Sequence, residues 1–197
     1  MEIKKILENT SNFVTKRLIE LFGFLILILS IFLLISLLSY YPEDPNFIFP
    51  QNTEINNILG FRGSVVSDLF FQSIGLVSIL VSITFIITGI NIVKTKKITL
   101  ILQNPFYLTL YVILGSLFFA VYYPESFWLT INGNGGFVGK QLSETFLTSL
   151  VNLNKQISYY LLFISIGILF LISINLNIYW LFDLIKKNIF KIIFKKL

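Results

Sequence analysis

Charged residues are absent from four long runs of the chain. Glu20 to Glu43 encloses 22 uncharged residues, and Asp68 to Lys94 encloses 25. Lys97 to Glu125 and Lys155 to Asp183 enclose 27 each. A bilayer core of about 30 Å needs roughly 20 apolar residues in a helix. Trimmed to their apolar parts, the runs predict spans over 21–39, 69–93, 106–123 and 157–181. Backbone polar groups in lipid must be satisfied within the segment, so the predicted state is helix despite the many β-branched and aromatic residues. The first run is too long for the apolar part of a signal peptide, and no A-x-A-like site follows it. It is read as a retained helix.

The intervening pieces carry their own patterns. Residues 1–20 form a mixed-charge lead, read as a cytoplasmic segment with a helix on the inner surface; Ile3, Leu7, Phe13, Val14 and Leu18 are only loosely periodic. The first outer loop has turn chemistry in Tyr41-Pro42-Glu43-Asp44-Pro45-Asn46. It ends with Gly60 and Gly63, read as a tight turn, and Ser64, read as the N-cap of helix two. Residues 94–104 make a short basic hairpin. In the second outer region Leu142, Phe146, Leu150 and Leu153 fall on one helical stripe, too short to span. A short interfacial helix is expected there. In the tail, 183–197, Lys187, Lys191 and Lys195 oppose Ile185, Ile189, Ile192 and Ile193. That pattern suits either a helix on an anionic leaflet or a snorkelling anchor. The fold class is therefore an all-α membrane protein: a 21–182 four-helix domain between a short lead and a basic tail.

Charge adds topology. The N-terminal lead, the hairpin and the tail hold 12 of the 15 basic residues, and the two other loops hold only Arg62, Lys140 and Lys155. By the positive-inside rule both termini are cytoplasmic. The net charge of +5 is then an inside/outside asymmetry and needs no nucleic acid. Composition agrees: 55% of residues are hydrophobic and 13% charged, against about 25% charged in soluble domains. Mean hydropathy is +0.83. There is no cysteine and no histidine, which removes thiolate chemistry, disulfides and the commonest general base.

Candidate chemistry is sparse. Gly139-Lys140 ends a Gly-rich run, but a phosphate-binding loop needs glycine at position 134 and Ser or Thr at 141, where Asn134 and Gln141 stand. No acid or base lies deep in a span, against an ion pump or proton relay. Gln72, Asn91, Asn175 and Asn177 lie nearer the ends. Arg62 and Asp68 are either an ion pair at the start of helix two or two solvated charges. Gly75, Ser78, Ser82 and Gly89 form a small-residue stripe on helix two, a packing face within the bundle or between protomers.

Three segments carry a family likeness. Ser39-Tyr40-Tyr41-Pro42-Glu43-Asp44-Pro45 resembles the SY-x-P-x-DP segment of the FtsK/SpoIIIE DNA translocase family, in its N-terminal four-helix membrane region. Asn57, Gly60, Gly63, Ser64, Ser67, Asp68 and Gly75 resemble the family's N-x-x-G-x-x-G-A-x-x-A-D…G, with serines for the alanines. Gly135, Gly136, Gly139, Leu142 and Ser143 are similar to its G-G-x-x-G-x-x-L-S. The resemblance covers roughly 21–181. It implies structural roles for Pro42, Asp44, Pro45, Asn57, Gly60, Gly63, Asp68, Gly75, Gly135, Gly136 and Gly139.

It also implies a membrane anchor in cell division and chromosome partition, in the bacterial inner membrane at the septum. The partners it implies are the lipid bilayer, other divisome membrane proteins, further copies of the chain, and an ATPase motor in cis or trans. Neither Walker motif of that motor occurs in these 197 residues, so the expectation is a non-enzyme without cofactor or metal and without direct DNA binding. It would be the anchor of a split or truncated translocase, or a stand-alone relative. Two other classes stay in view: a small transporter or channel subunit, which needs a polar pore, and an enzyme on lipid or peptidoglycan precursors, which needs clustered acids and bases.

Overall fold

The computed structural model describes residues 2–45, 54–129 and 131–175. Seven helices appear among them: α1 Glu2–Leu38, α2 Gly60–Ile74, α3 Ser78–Thr95, α4 Leu100–Tyr122, α5 Gly136–Ser143, α6 Phe146–Leu153 and α7 Lys155–Ser173. A single 3-10 turn, Gly75–Val77, joins α2 to α3. No strand occurs among the described residues. Residues 39–45, 54–59, 123–129 and 131–154 form the loop end, and the α3–α4 turn forms the hairpin end.

Helix α1 runs through 37 residues without a break, so it is about 55 Å long. Its lead is therefore no separate surface helix. Charges between residues 2 and 20 mark where lipid must end, but no proline or glycine in that stretch ends the helix. Helix α3 packs back along α1, and α4 along α7. The α1–α3 crossing is close because a Cβ on Gly89 would lie 2.9 Å from the Gly23 carbonyl oxygen.

The second hydrophobic run differs most from expectation. Helix starts at Gly60, nine residues before the expected Leu69, and breaks at Gly75. Within α2, Gly63 meets Ser36, while Asp68 and Phe71 meet Tyr40 and Leu37. Two turns of α2 thus spread over one turn of α1, so α2 crosses the end of α1 rather than running beside it.

Helix α4 starts at Leu100 rather than Phe106. Pro105 lies in its second turn, where the backbone bond it removes is one of the helix's first. The expected interfacial helix is two helices. Thr145 accepts the N–H of Leu147 and restarts the turn, shifting the phase. Leu147 and Val151 then pack on Leu117, Phe118 and Leu162, while Phe146, Leu150 and Leu153 face out. Asn154 caps α7 in the same way. The expected end of the fourth span at 181, the tail 183–197 and Asn177 lie outside the described residues.

Three apolar clusters hold the bundle. Val77, Val81, Tyr111 and Val112 fill its middle; Leu117, Phe118, Val151 and Leu162 join α4, α6 and α7; Leu37, Phe71 and Leu129 sit at the loop end. Outward faces are apolar as well, with Leu21, Phe22, Leu25 and Leu29 on α1 and Leu161, Ile164 and Ile168 on α7 exposed. Water does not tolerate such continuous faces, whereas lipid is their matching solvent. Four helical stretches, Asn9–Leu38, Gly60–Thr95, Leu102–Tyr122 and Lys155–Ser173, are long and apolar enough to cross a membrane.

Candidate functional site

Among the described residues, the polar contacts between segments gather in two clasps at the loop end and one layer inside the bundle. The first clasp ties the end of α1 to the start of α2. After α1, the Tyr41-Pro42-Glu43-Asp44 turn closes with the Asp44 N–H on the Tyr41 carbonyl at 3.2 Å. It delivers the Asp44 carboxylate, only 2% exposed, to the backbone N–H groups of Asn56 and Asn57, both at 2.8 Å. Such bonds are charge-assisted and strong. The Pro45 carbonyl, next along, accepts from the Ser64 hydroxyl at 2.8 Å. Ser64 therefore sits inside α2 as a tether to the turn and is not its N-cap. Leu59 holds that position, with its N–H on the Asn57 side-chain oxygen.

Asn57 is the centre of this clasp. Its amide nitrogen donates to the Ser36 carbonyl at 2.9 Å and the Ser39 carbonyl at 3.2 Å, two of the carbonyls that α1 leaves unpaired at its end. The Ser36 hydroxyl donates in turn to the Gly63 carbonyl at 2.6 Å. A Cβ on Gly63 would collide with the Asn57 side chain, so glycine there makes room for the clasp. Gly60 opens α2 at φ 65°. Asp68 accepts from Tyr40 at 3.4 Å and Gln72 at 3.3 Å. Burial, and then the Asp68 charge, push the Tyr40 phenol up to about 12. Among the described residues Glu20 forms ion pairs with Arg17 and with Lys96, both at 2.6 Å.

The second clasp is made of backbone. Gly75 at φ 67° turns α2 into α3, and the Leu76 N–H donates to the Asn134 carbonyl at 3.0 Å. The Asn134 side chain donates to the carbonyls of Tyr123 at 3.0 Å and Glu125 at 2.7 Å, pinning the loop. Gly136 begins α5 at φ 64° directly against Ile74 and Gly75. Gly135 and Gly139 lie against the Ser116 carbonyl of α4; a Cβ on Gly135 would come to 2.6 Å from it. The Ser116 hydroxyl bonds the Ile74 carbonyl at 3.0 Å, which the Gly75 turn frees. Three chain segments thus meet where no side chain fits.

The small-residue stripe divides by function. Gly75 belongs to this clasp and Gly89 to the α1 crossing, while Ser78 and Ser82 are fully buried and bond carbonyls of Gly75 and Ile79 in their own segment. All four lie inside one chain's own packing.

The layer inside the bundle was not legible from spacing. Thr84 and Tyr111 share a hydrogen bond of 2.9 Å, and Ser173 lies 3.4 Å from Thr84. Asn104 donates to Thr88 at 2.7 Å and accepts from Asn175 at 2.7 Å. Asn91 reaches the Ile174 carbonyl at 3.2 Å. This joins α3, α4 and the end of α7. Among the described residues every buried side-chain nitrogen and oxygen has a partner, and no three acids gather as a metal site would need. These groups fix helices against one another.

Such a molecule is a multi-pass α-helical membrane domain whose polar groups serve to lock its helices. The model of the family described as the 4TM region of DNA translocase FtsK/SpoIIIE matches residues 15–185. The chain belongs to that family. No curated protein and no solved structure matches it. The matched region is the family's membrane region and not its ATPase motor. The motif glycines, Ser39, Asp44 and Asn57 fall in the two clasps; Ser36, Ser116 and Asn134 complete them and belong to none of the three motifs.

Proposed function

We propose that this chain is the membrane anchor of an FtsK-type DNA translocase, acting at the division septum in cell division and chromosome partition. The observation carrying this reading is the family match across 171 residues, 15–185. A locked bundle supports it, because an anchor must hold its shape under load. The termini are cytoplasmic in this reading, so that α1's lead and the basic tail face anionic lipid and the motor, in cis or trans, while the clasped loop end faces other division proteins in the inner membrane. DNA contact belongs to the motor.

A transport role would use the polar layer as a path, but its groups are engaged with one another. The test is a fluorescent fusion expressed at native level in dividing cells. Enrichment at midcell is the expected result. An even membrane distribution through the cycle overturns the septal role.

A further inference from the structure

Where α2 crosses the end of α1, the two helices diverge and leave an apolar groove of about 530 Å³. Its walls are Leu29, Phe32 and Leu33 of α1, Val66 of α2 and Leu59, the residue that precedes α2. From Ser36 to Leu29 it descends about 10 Å along α1, at the helical rise of about 1.5 Å per residue. Among the described residues one charged side chain borders it, Arg62, and no acid does. Arg62 is exposed and has no ion pair among the described residues. The other two bases of the loop end, Lys140 and Lys155, lie on α5 and α7, away from this groove.

An apolar slot running into the membrane from a single cation is complementary to one class of molecule. We propose that the α1–α2 groove holds an anionic glycerophospholipid of the surrounding bilayer, one acyl chain lying between Leu29, Phe32 and Val66 and the phosphate on Arg62. Guanidinium matches phosphate through two parallel hydrogen bonds, and its stem tolerates an apolar wall. A neutral groove wall with one positive charge favours a lipid of net charge −1 over a zwitterion. The lipid would brace α2 where it leaves α1, beside the Asn57 clasp. The inference depends on the membrane fold and not on the septal role.

Native mass spectrometry of the full chain, released from micelles titrated with phosphatidylglycerol or phosphatidylcholine of equal chain length, tests this. Phosphatidylglycerol should be retained at one per chain and phosphatidylcholine far more weakly. Arg62→Gln should lower retention on the order of tenfold, the loss of a charge-assisted hydrogen bond, and Arg62→Lys by less. Val66→Trp, which fills the slot, should lower it with Arg62 intact. Lys140→Gln at the same end should leave it unchanged. Equal retention by Arg62→Gln, equal retention of phosphatidylcholine, or a groove filled by a second copy (a Val66→Cys crosslink between chains) overturns the proposal. Arg62 is exposed, so its variants leave the packing intact and decide the matter without Val66→Trp.

Discussion

Gly75 and Gly136 meet backbone to backbone, each with a positive φ, 67° and 64°. Alanine at either position brings a left-handed penalty and a collision with main-chain atoms that cannot swing away. Gly75→Ala or Gly136→Ala should each cost about 3 kcal/mol or more. Gly167 in α7 is the contrast, because a Cβ there meets nothing within 4 Å. Gly167→Ala should be neutral or gain up to about 1 kcal/mol from helix propensity. Unfolding in a mild detergent, followed by helical circular dichroism, separates the two outcomes; equal loss at all three sites would refute the clasp.

Asp44→Asn keeps the size of the side chain and removes its charge. The bonds to the N–H groups of Asn56 and Asn57 weaken, and one of them faces an amide nitrogen that cannot accept. The expected loss is about 1.5–3 kcal/mol. Asn57→Ala should cost a similar amount, about 1–3 kcal/mol, by leaving the Ser36 and Ser39 carbonyls without that donor. Hydrogen exchange in the 54–60 peptide should quicken in both variants while α4 and α7 stay protected.

The reach of sequence reasoning follows from these particulars. Four helical spans were legible because lipid forbids charge and forces helix, so a run such as 98–124 has one reading. Helix ends were less so. Glu20 marks a change of solvent, not the end of α1, and α4 begins at Leu100, six residues before the expected Phe106, with Pro105 in its second turn. Thr145 restarts a helix one step out of phase, so that Leu142 of the expected stripe packs inward while Phe146, Leu150 and Leu153 face out. The clasps were visible as motif residues but not as geometry. Ser36 and Ser116 look like ordinary membrane-helix serines until their partners, 27 and 42 residues away, are known.

Tyr40 makes a pH prediction. Its folded-state pKa lies above the ordinary value of 10, at about 12, because burial and then the Asp68 charge disfavour the phenolate. The folded state therefore holds this proton more tightly than the unfolded state. The resulting stability is present below pH 10 and is lost as pH rises from 10 to 12. Melting temperature plotted against pH should fall less steeply across that window in Tyr40→Phe than in the wild type. Parallel curves would show that the phenol is not shielded.

Asn104 bridges Thr88 and Asn175 while only 2% exposed. Asn104→Leu preserves volume but leaves both partners without it. Hydrogen bonds between membrane helices are weak singly, so the expected cost is about 1–2 kcal/mol. The loss should be local: hydrogen exchange should rise at the ends of α3 and α7 near the hairpin and not at the loop end. Asn104→Asp, which puts a charge into the same layer, should cost more than Asn104→Leu.

The absence of cysteine makes the orientation directly measurable. Glu43 and Lys140 are exposed at the loop end, and Lys97 is exposed at the hairpin end. Single replacements Glu43→Cys, Lys140→Cys and Lys97→Cys alter no ion pair found in the structure. In intact cells a membrane-impermeant maleimide should label the first two, and Lys97→Cys should react only after permeabilisation. The basis is the concentration of lysine and arginine at the hairpin end, the side retained in the cytoplasm. Labelling of Lys97→Cys from outside would invert the molecule. It would also place α1's lead and the basic tail away from any cytoplasmic motor, so the anchor reading would fall with the topology.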